Sequence, residues 1–117
     1  MRPLLKLGQI VATPRAILAL NEAGSNGLEL FSRHMRGDWG GLGAEDKREN
    51  DLSVRQGFRI LSAYILNTGV KIWIITEADR SATRFLLPDE YKPRTRLSRE
   101  ASFLARLFVL ARVLEHN

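Results

Sequence analysis

The densest group of residues able to do chemistry is Arg33-His34-Met35-Arg36-Gly37-Asp38-Trp39-Gly40. A histidine, two arginines and an aspartate this close could move a proton at a phosphodiester and hold its phosphate. The same run also reads as a helix ending, with positive side chains in the last turn, a glycine stop and a tryptophan tying the loop to the core. The structural reading is the favoured one. A second group, Thr76-Glu77-Ala78-Asp79-Arg80-Ser81, reads first as turn chemistry: Asp79 bonds its own backbone and Arg80 pairs with Glu77 or Asp79. Functionally, it would present an arginine and a hydroxyl beside a sheet edge. Ser62 and Tyr64 alternate onto one strand face, whereas Arg59 falls on the other, so the three converge only through a bulge.

Several chemistries are absent from the chain. With no cysteine there is no disulfide, thiolate nucleophile or cysteine zinc site. His34 and His116 are the only imidazoles, too few and too far apart for a histidine cage. Glu45 and Glu49 are four apart on one helix face, a spacing magnesium could use, but Lys47, Arg48 and Arg55 make a solvated charged face the better reading. The sequence contains no P-loop, GxGxxG, HExxH or GxSxG. No metal and no cofactor are expected.

The elements that must position these residues follow from pattern. Residues 5–12 read as a short first strand. Thr13-Pro14 starts a helix, with a hydroxyl cap and proline at the first helical position, and Gly24 closes it. Ser25 or Asn26 caps a second helix whose apolar stripe is Leu28, Phe31 and Met35. The glycine-rich run 37–43 is a loop, and residues 45–56 form a short, exposed, charged helix ended by Gly57. Residues 58–66, 70–76 and 83–87 are strands of a meander, turned at Asn67-Thr68-Gly69 and at 77–82 and stopped by Pro88. Apolar residues on both faces of these strands imply helices on one face and some cover on the other.

The expected fold is therefore α+β: N-terminal helices packed on a small antiparallel sheet, a three-stranded meander that a fourth, N-terminal strand can join. A C-terminal amphipathic helix follows, capped by Ser98, with Phe103, Leu104, Leu107, Phe108, Leu110, Ala111 and Leu114 on its apolar stripe. Residues 1–91 form one domain; 92–117 are a basic linker and that helix. The stripe packs on the sheet, pairs with a second copy as a homodimer, or lies on a membrane surface.

The formal net charge of +5 belongs to the tail. Residues 1–91 carry 12 Lys/Arg and 11 Asp/Glu, whereas 92–117 carry 6 against 2. Lys92, Arg94, Arg96 and Arg99 are accordingly the candidate nucleic-acid contacts. No apolar run reaches the roughly 18 residues of a membrane span, and nothing resembles a signal-peptide core, so a cytoplasmic location is expected.

The pieces VATPRAILAL, LFSRHMRGDWG, EDKREND, RILSAYIL and GVKIWIITEADRSATRFLLPDEY resemble a family of short proteins encoded on bacterial plasmids, integrative elements and phages. The resemblance covers residues 7–91 and leaves the tail from Lys92 outside it. It implies a mobile-element context and a cytoplasmic accessory protein, and it assigns no role to any residue. On that basis the expected function is a non-enzymatic accessory factor that binds a protein or nucleic-acid partner through its loop face, in an anti-defence or plasmid-maintenance role. Trp39, Asp38, Arg36, Asp79 and Arg80 would be the contacts, with Trp39 as anchor. The alternative is a small metal-independent ribonuclease laid out like barnase or RelE-type toxins. There His34 would be the acid or base, Arg80 or Arg59 would hold the phosphate, and Tyr64 or Thr76 would orient it.

Overall fold

The computed structural model describes residues 8–91. The expected C-terminal helix and the candidate contacts Lys92, Arg94, Arg96 and Arg99 lie outside the described residues. The order is β1 (Gln9–Ala12), α1 (Pro14–Glu22), α2 (Leu28–Met35), α3 (Ala44–Gln56), β2 (Ile60–Ile65), β3 (Lys71–Thr76) and β4 (Ala82–Leu86), then one 3₁₀ turn, Pro88–Glu90. The fold is α+β, and the meander β2-β3-β4 is antiparallel as its turns require. The fourth strand is present and pairs parallel with β4, giving a mixed sheet ordered β1-β4-β3-β2. Parallel pairing is possible because α1, α2, α3 and two strands separate β1 from β4, ample chain for a crossover.

Strand alternation divides the core. On one face Tyr64, Ile72, Ile74 and Phe85 pack with Leu66 against Ala16, Ala19 and Leu20 of α1 and Leu30 of α2. On the other, Leu61, Trp73, Ile75 and Leu86 cluster with Tyr91, with Leu42 and Ala63 packed against them. Six fully buried large side chains come from β2 and β3 alone. Burial of each stabilises the fold by roughly 1.5–3 kcal/mol.

Thr13 links three elements. Its N–H donates to Phe85 O of β4 (3.0 Å), its Oγ1 accepts from Ala16 N–H at the start of α1 (3.1 Å), and that hydroxyl donates to Glu90 Oε1 (2.8 Å). The expected cap and Pro14 start are thus in place. At α2 the cap differs: Gly27, at φ 82, takes the cap position, while Ser25 and Asn26 accept the N–H groups of Gly27 and Leu28 in tight local turns. The buried stripe of α2 differs too. Leu28 is 67 % exposed and Phe31 packs half-buried against the core as expected, but the fully buried members are Leu30 and His34. Both sets have helical spacing, and the hydroxyls opposite His34 decide which one turns inward.

Helix α3 is less exposed than its charge suggests. Asp46, Asn50 and Ser53, spaced four and three apart, are buried. Asn50 lies against the outer edge of β2, where its side chain donates to Leu61 O (2.6 Å) and accepts from Leu61 N–H (3.3 Å). One step along, Gly41 N–H donates to Ala63 O (2.8 Å) and Ala63 N–H to Trp39 O (3.2 Å). The edge of β2 is therefore closed by the chain itself, the usual remedy for unpaired backbone groups.

Candidate functional site

His34 ends α2 directly beneath β2 and β3, and its side chain is wholly buried. Nδ1 lies 2.5 Å from Ser62 Oγ and Nε2 lies 2.8 Å from Thr76 Oγ1, which is 2.8 Å from Thr83 Oγ1. Two strands thus bond the imidazole through hydroxyls, and the third strand's Thr83 extends the chain through Thr76. Strand register explains this, because Ser62, Thr76 and Thr83 share a face with Ile60 and Ile74. Trp39 meets the ring edge-on, with centroids 5.7 Å apart. Burial, and then the positive field of Arg80, push the imidazole down to about 3. A neutral ring has one donor and one acceptor, and hydroxyl partners satisfy either tautomer. His34 is thus not a cation at the end of α2, as its place in the last turn suggests. It is an uncharged link between a helix and three strands.

A second cluster surrounds the loop after α2. Arg33 grips Asp38 with both Nε (2.7 Å) and Nη2 (3.3 Å), and its guanidinium lies 4.7 Å from the centre of the Tyr64 ring. The Tyr64 hydroxyl donates to the backbone O of Asp38 (2.6 Å). Hydrogen bonding to Asp38 raises the guanidinium of Arg33, and the reciprocal bond lowers the Asp38 carboxyl. Burial pushes the Tyr64 phenol up to about 12. Gly40 is required here: it holds φ 78, and a Cβ on it would stand 2.0 Å from Ala63 O. Trp39 is 2 % exposed and donates through Nε1 to Asp51 of α3 (3.0 Å). Its ring ties the loop to the core and is not displayed to a partner. Arg36 and Asp38 are exposed, Arg36 donating to Ser32 Oγ at 3.1 Å.

The third cluster is the β3–β4 turn. Asp79 is exposed and accepts from Ser81 N–H (2.9 Å); bonding to Ser81 lowers its carboxyl. Arg80 sits at φ 62 and folds back on the protein. Its Nη1 donates to Phe58 O (2.8 Å), Glu77 O (3.0 Å) and Ala78 O (3.2 Å), and its Nη2 to Ser53 O of α3 (3.1 Å). Glu77 instead bridges Arg59 (3.0 Å) and Arg84 (2.9 Å).

The arrangement brings His34 and Thr76 into direct contact. It commits Tyr64 to the Asp38 carbonyl, Arg59 to Glu77, and Arg80 to four carbonyls. Nor do the loop and the turn make one face. The loop pairs with Ala63, opposite Trp73, whereas the turn follows Thr76, three strand residues further along or roughly 10 Å. Asn50, Ser53 and Thr83 join the polar framework without having been marked by the motifs, and Asp51 joins it through Trp39. For Asp46, Asn50 and Ser53 the signal was their helical spacing, hidden because the stripe is polar.

Among the described residues no group of three or more His, Asp or Glu side chains is placed to hold a metal ion, and no helix is long and apolar enough to cross a membrane. Comparison with protein-family models, curated proteins and solved structures finds no match to this chain.

Proposed function

We propose that this chain is a non-enzymatic binding protein, an accessory factor of a bacterial mobile genetic element, that takes a protein partner on its loop surfaces. The burial of His34 carries this reading. The one imidazole among the described residues is sealed, neutral and bonded to two hydroxyls, so it offers nothing to a substrate. The same observation weighs against the ribonuclease alternative, in which His34 must exchange a proton with a phosphodiester. Residues 8–91 hold 10 Lys/Arg against 11 Asp/Glu, which favours a protein over a nucleic acid as partner of the body. Nucleic-acid contact, if the protein makes it, belongs to Lys92, Arg94, Arg96 and Arg99. The mobile-element context, with its anti-defence or maintenance role, rests on the sequence resemblance alone.

The partner contacts we assign are two separate patches, Arg36 and Asp38 on the loop and Asp79 on the turn, with Trp39 holding the loop in shape from within and Arg80 doing the same for the turn. The test is affinity capture from cells carrying the element, comparing the full chain with an Arg36→Glu/Asp79→Lys variant. Both substitutions are at exposed positions, and Asp79→Lys gives up only the turn bond to Ser81 N–H, so the variant should stay folded with a small drop in melting temperature while the partner is lost. Equal recovery by both proteins would refute the assignment.

A further inference from the structure

The two edges of the sheet are treated differently. That of β2 is closed by Asn50 and by the backbone of Trp39 and Gly41. Among the described residues, nothing pairs with the outer edge of β1. The parallel ladder fixes which groups stand there. Gln9 N–H donates to Ser81 O and Thr13 N–H to Phe85 O, both at 3.0 Å, so the odd-numbered residues turn their backbone toward β4. Ile10 and Ala12 therefore turn their N–H and C=O groups outward. Edge strands are normally guarded by a charge, a proline or a bulge. Gln9–Ala12 has none of these: its sequence is QIVA and its register with β4 is unbroken. Apolar surface lies alongside. Ile10, Ala12, Ile17, Leu20 and Phe85 line a groove of about 190 Å³ between β1 and α1, and Ile10 is 46 % and Ile17 48 % exposed.

We propose that this edge is the interface of a two-fold symmetric homodimer, in which β1 pairs antiparallel with β1 of a second copy. The first argument is register. Gly8, at φ 62, and Pro14, which opens α1, bound the strand, so Ile10 and Ala12 are the outward residues each copy has to offer. One antiparallel register uses them all: Ile10 opposite Ala12 of the second copy, Ala12 opposite its Ile10, and Val11 opposite its counterpart on the axis. Each Ile10–Ala12 pair exchanges both N–H···O bonds, and no outward group is left over. The second argument is side-chain fit. Directly opposed residues share a face of the sheet, so the branched Ile10 sits beside the small Ala12 on the helix side, and Val11 meets Val11 on the other. The strand brings no charge against its like. The third is area. A stable interface takes roughly 800 Å² from each partner, more than a four-residue strand supplies. The remainder lies in the same place: the two grooves join across the axis into one apolar layer, floored by Ile10 and Ala12 and walled by Ile17 of both copies. A second copy thus brings strand and apolar wall together, the self-complementary patch that a two-fold contact needs. The loop patch of Arg36 and Asp38 lies toward β2, at the opposite edge, and stays open in both copies.

Because the chain has no cysteine, Val11→Cys puts one thiol in each copy, and puts it on the axis. Opposed residues of a non-hydrogen-bonded pair stand about 4.5 Å apart at Cα, within reach of a disulfide. The control is Ile65→Cys, 67 % exposed on β2 at the far edge of the sheet. The full-length parent should sediment at twice the chain mass. Under mild oxidation by glutathione disulfide, Val11→Cys should cross-link to a dimer about ten-fold or more faster than Ile65→Cys. Ile10→Lys sets a charge on the edge and should shift sedimentation to the monomer, weakening the dimer about ten-fold or more with the far-UV spectrum kept; Val11→Arg does the same from the other face should Ile10→Lys fail to fold. A monomeric parent would overturn the proposal. So would a dimer that Ile10→Lys or Val11→Arg leaves intact and in which the two thiols cross-link at equal rates, since the copies then meet elsewhere.

Discussion

Acid should loosen this protein through one side chain. His34 is held neutral in the fold, at about 3, by its burial and by Arg80, whereas an imidazole in the unfolded chain titrates near 6.5. The folded pKa is thus the depressed one. Between these two values the unfolded state binds the extra proton, so stability rises with pH across the window and is lost as pH falls. Above pH 6.5 the contribution is complete. By pH 5, 1.5 units below the unfolded value, about 2 kcal/mol is gone, and by pH 3 the loss approaches roughly 5 kcal/mol. A domain with a typical stability of about 5–15 kcal/mol feels that strongly. The assay is urea denaturation of the parent and of His34→Gln from pH 7.5 to pH 4. Glutamine keeps a donor and an acceptor but cannot ionise, so it costs stability at neutral pH while lacking the histidine-dependent slope. The difference between the two proteins should narrow by about 1.4 kcal/mol per pH unit between pH 6 and pH 4. Carboxylates such as Asp38 and Asp79, whose pKa values are lowered, also lose stabilising power in acid, but they do so in both proteins and cancel. A difference that does not change with pH, or a His34 ring titrating near 6.5 in the folded protein by NMR, would refute the reasoning.

Three further outcomes follow from the polar framework. Replacing Arg80 with alanine removes the donor shared by four carbonyls and should cost roughly 2–4 kcal/mol in denaturant melts; Arg80→Lys should recover little, because an ammonium cannot reach all four. Asn50→Ala strips both partners from the Leu61 backbone and should cost a similar roughly 2–4 kcal/mol, with faster amide exchange at Leu61, whereas Lys47→Ala on the exposed side of α3 should stay within about 0.5 kcal/mol. Gly40→Ala drives a methyl into Ala63 O and should destabilise by more than about 2 kcal/mol, whereas Gly24→Ala, equally left-handed but with open space around it, should cost only about 1 kcal/mol. Equal losses for the two glycine variants would mean that close approach to β2 is not what Gly40 supplies.

How much of this could be read beforehand depended on range. The meander was legible because alternation and the glycine turn at 67–69 are local signals, and the Thr13-Pro14 start because a cap acts over three residues. Asp79 bonding its own turn was legible for the same reason. The second helix misled because Leu28-Phe31-Met35 and Leu30-His34 are both helical stripes. Trp39 was open to either role, because a loop tryptophan can serve a partner or its own core; its bond to Asp51, twelve residues on, decides for the core. Arg80 read as the partner of Glu77 or Asp79, whereas its hydrogen bonds run to backbone carbonyls, which no side-chain pattern encodes.

By itself, then, the amino-acid order determined the strand alternation, the glycine turn at 67–69, the start of the first helix and the placing of the excess positive charge from Lys92 onward. These depend on neighbours within a few residues. Only the tertiary structure decided that β1 joins β4 in parallel and that His34 meets hydroxyls 28 and 42 residues away. It also decided that Asn50 closes a strand edge and that Ile10 and Ile17 flank an open groove. Each of these follows from desolvating a particular pair of groups against each other, and that free energy exists only once both have been brought to the same place.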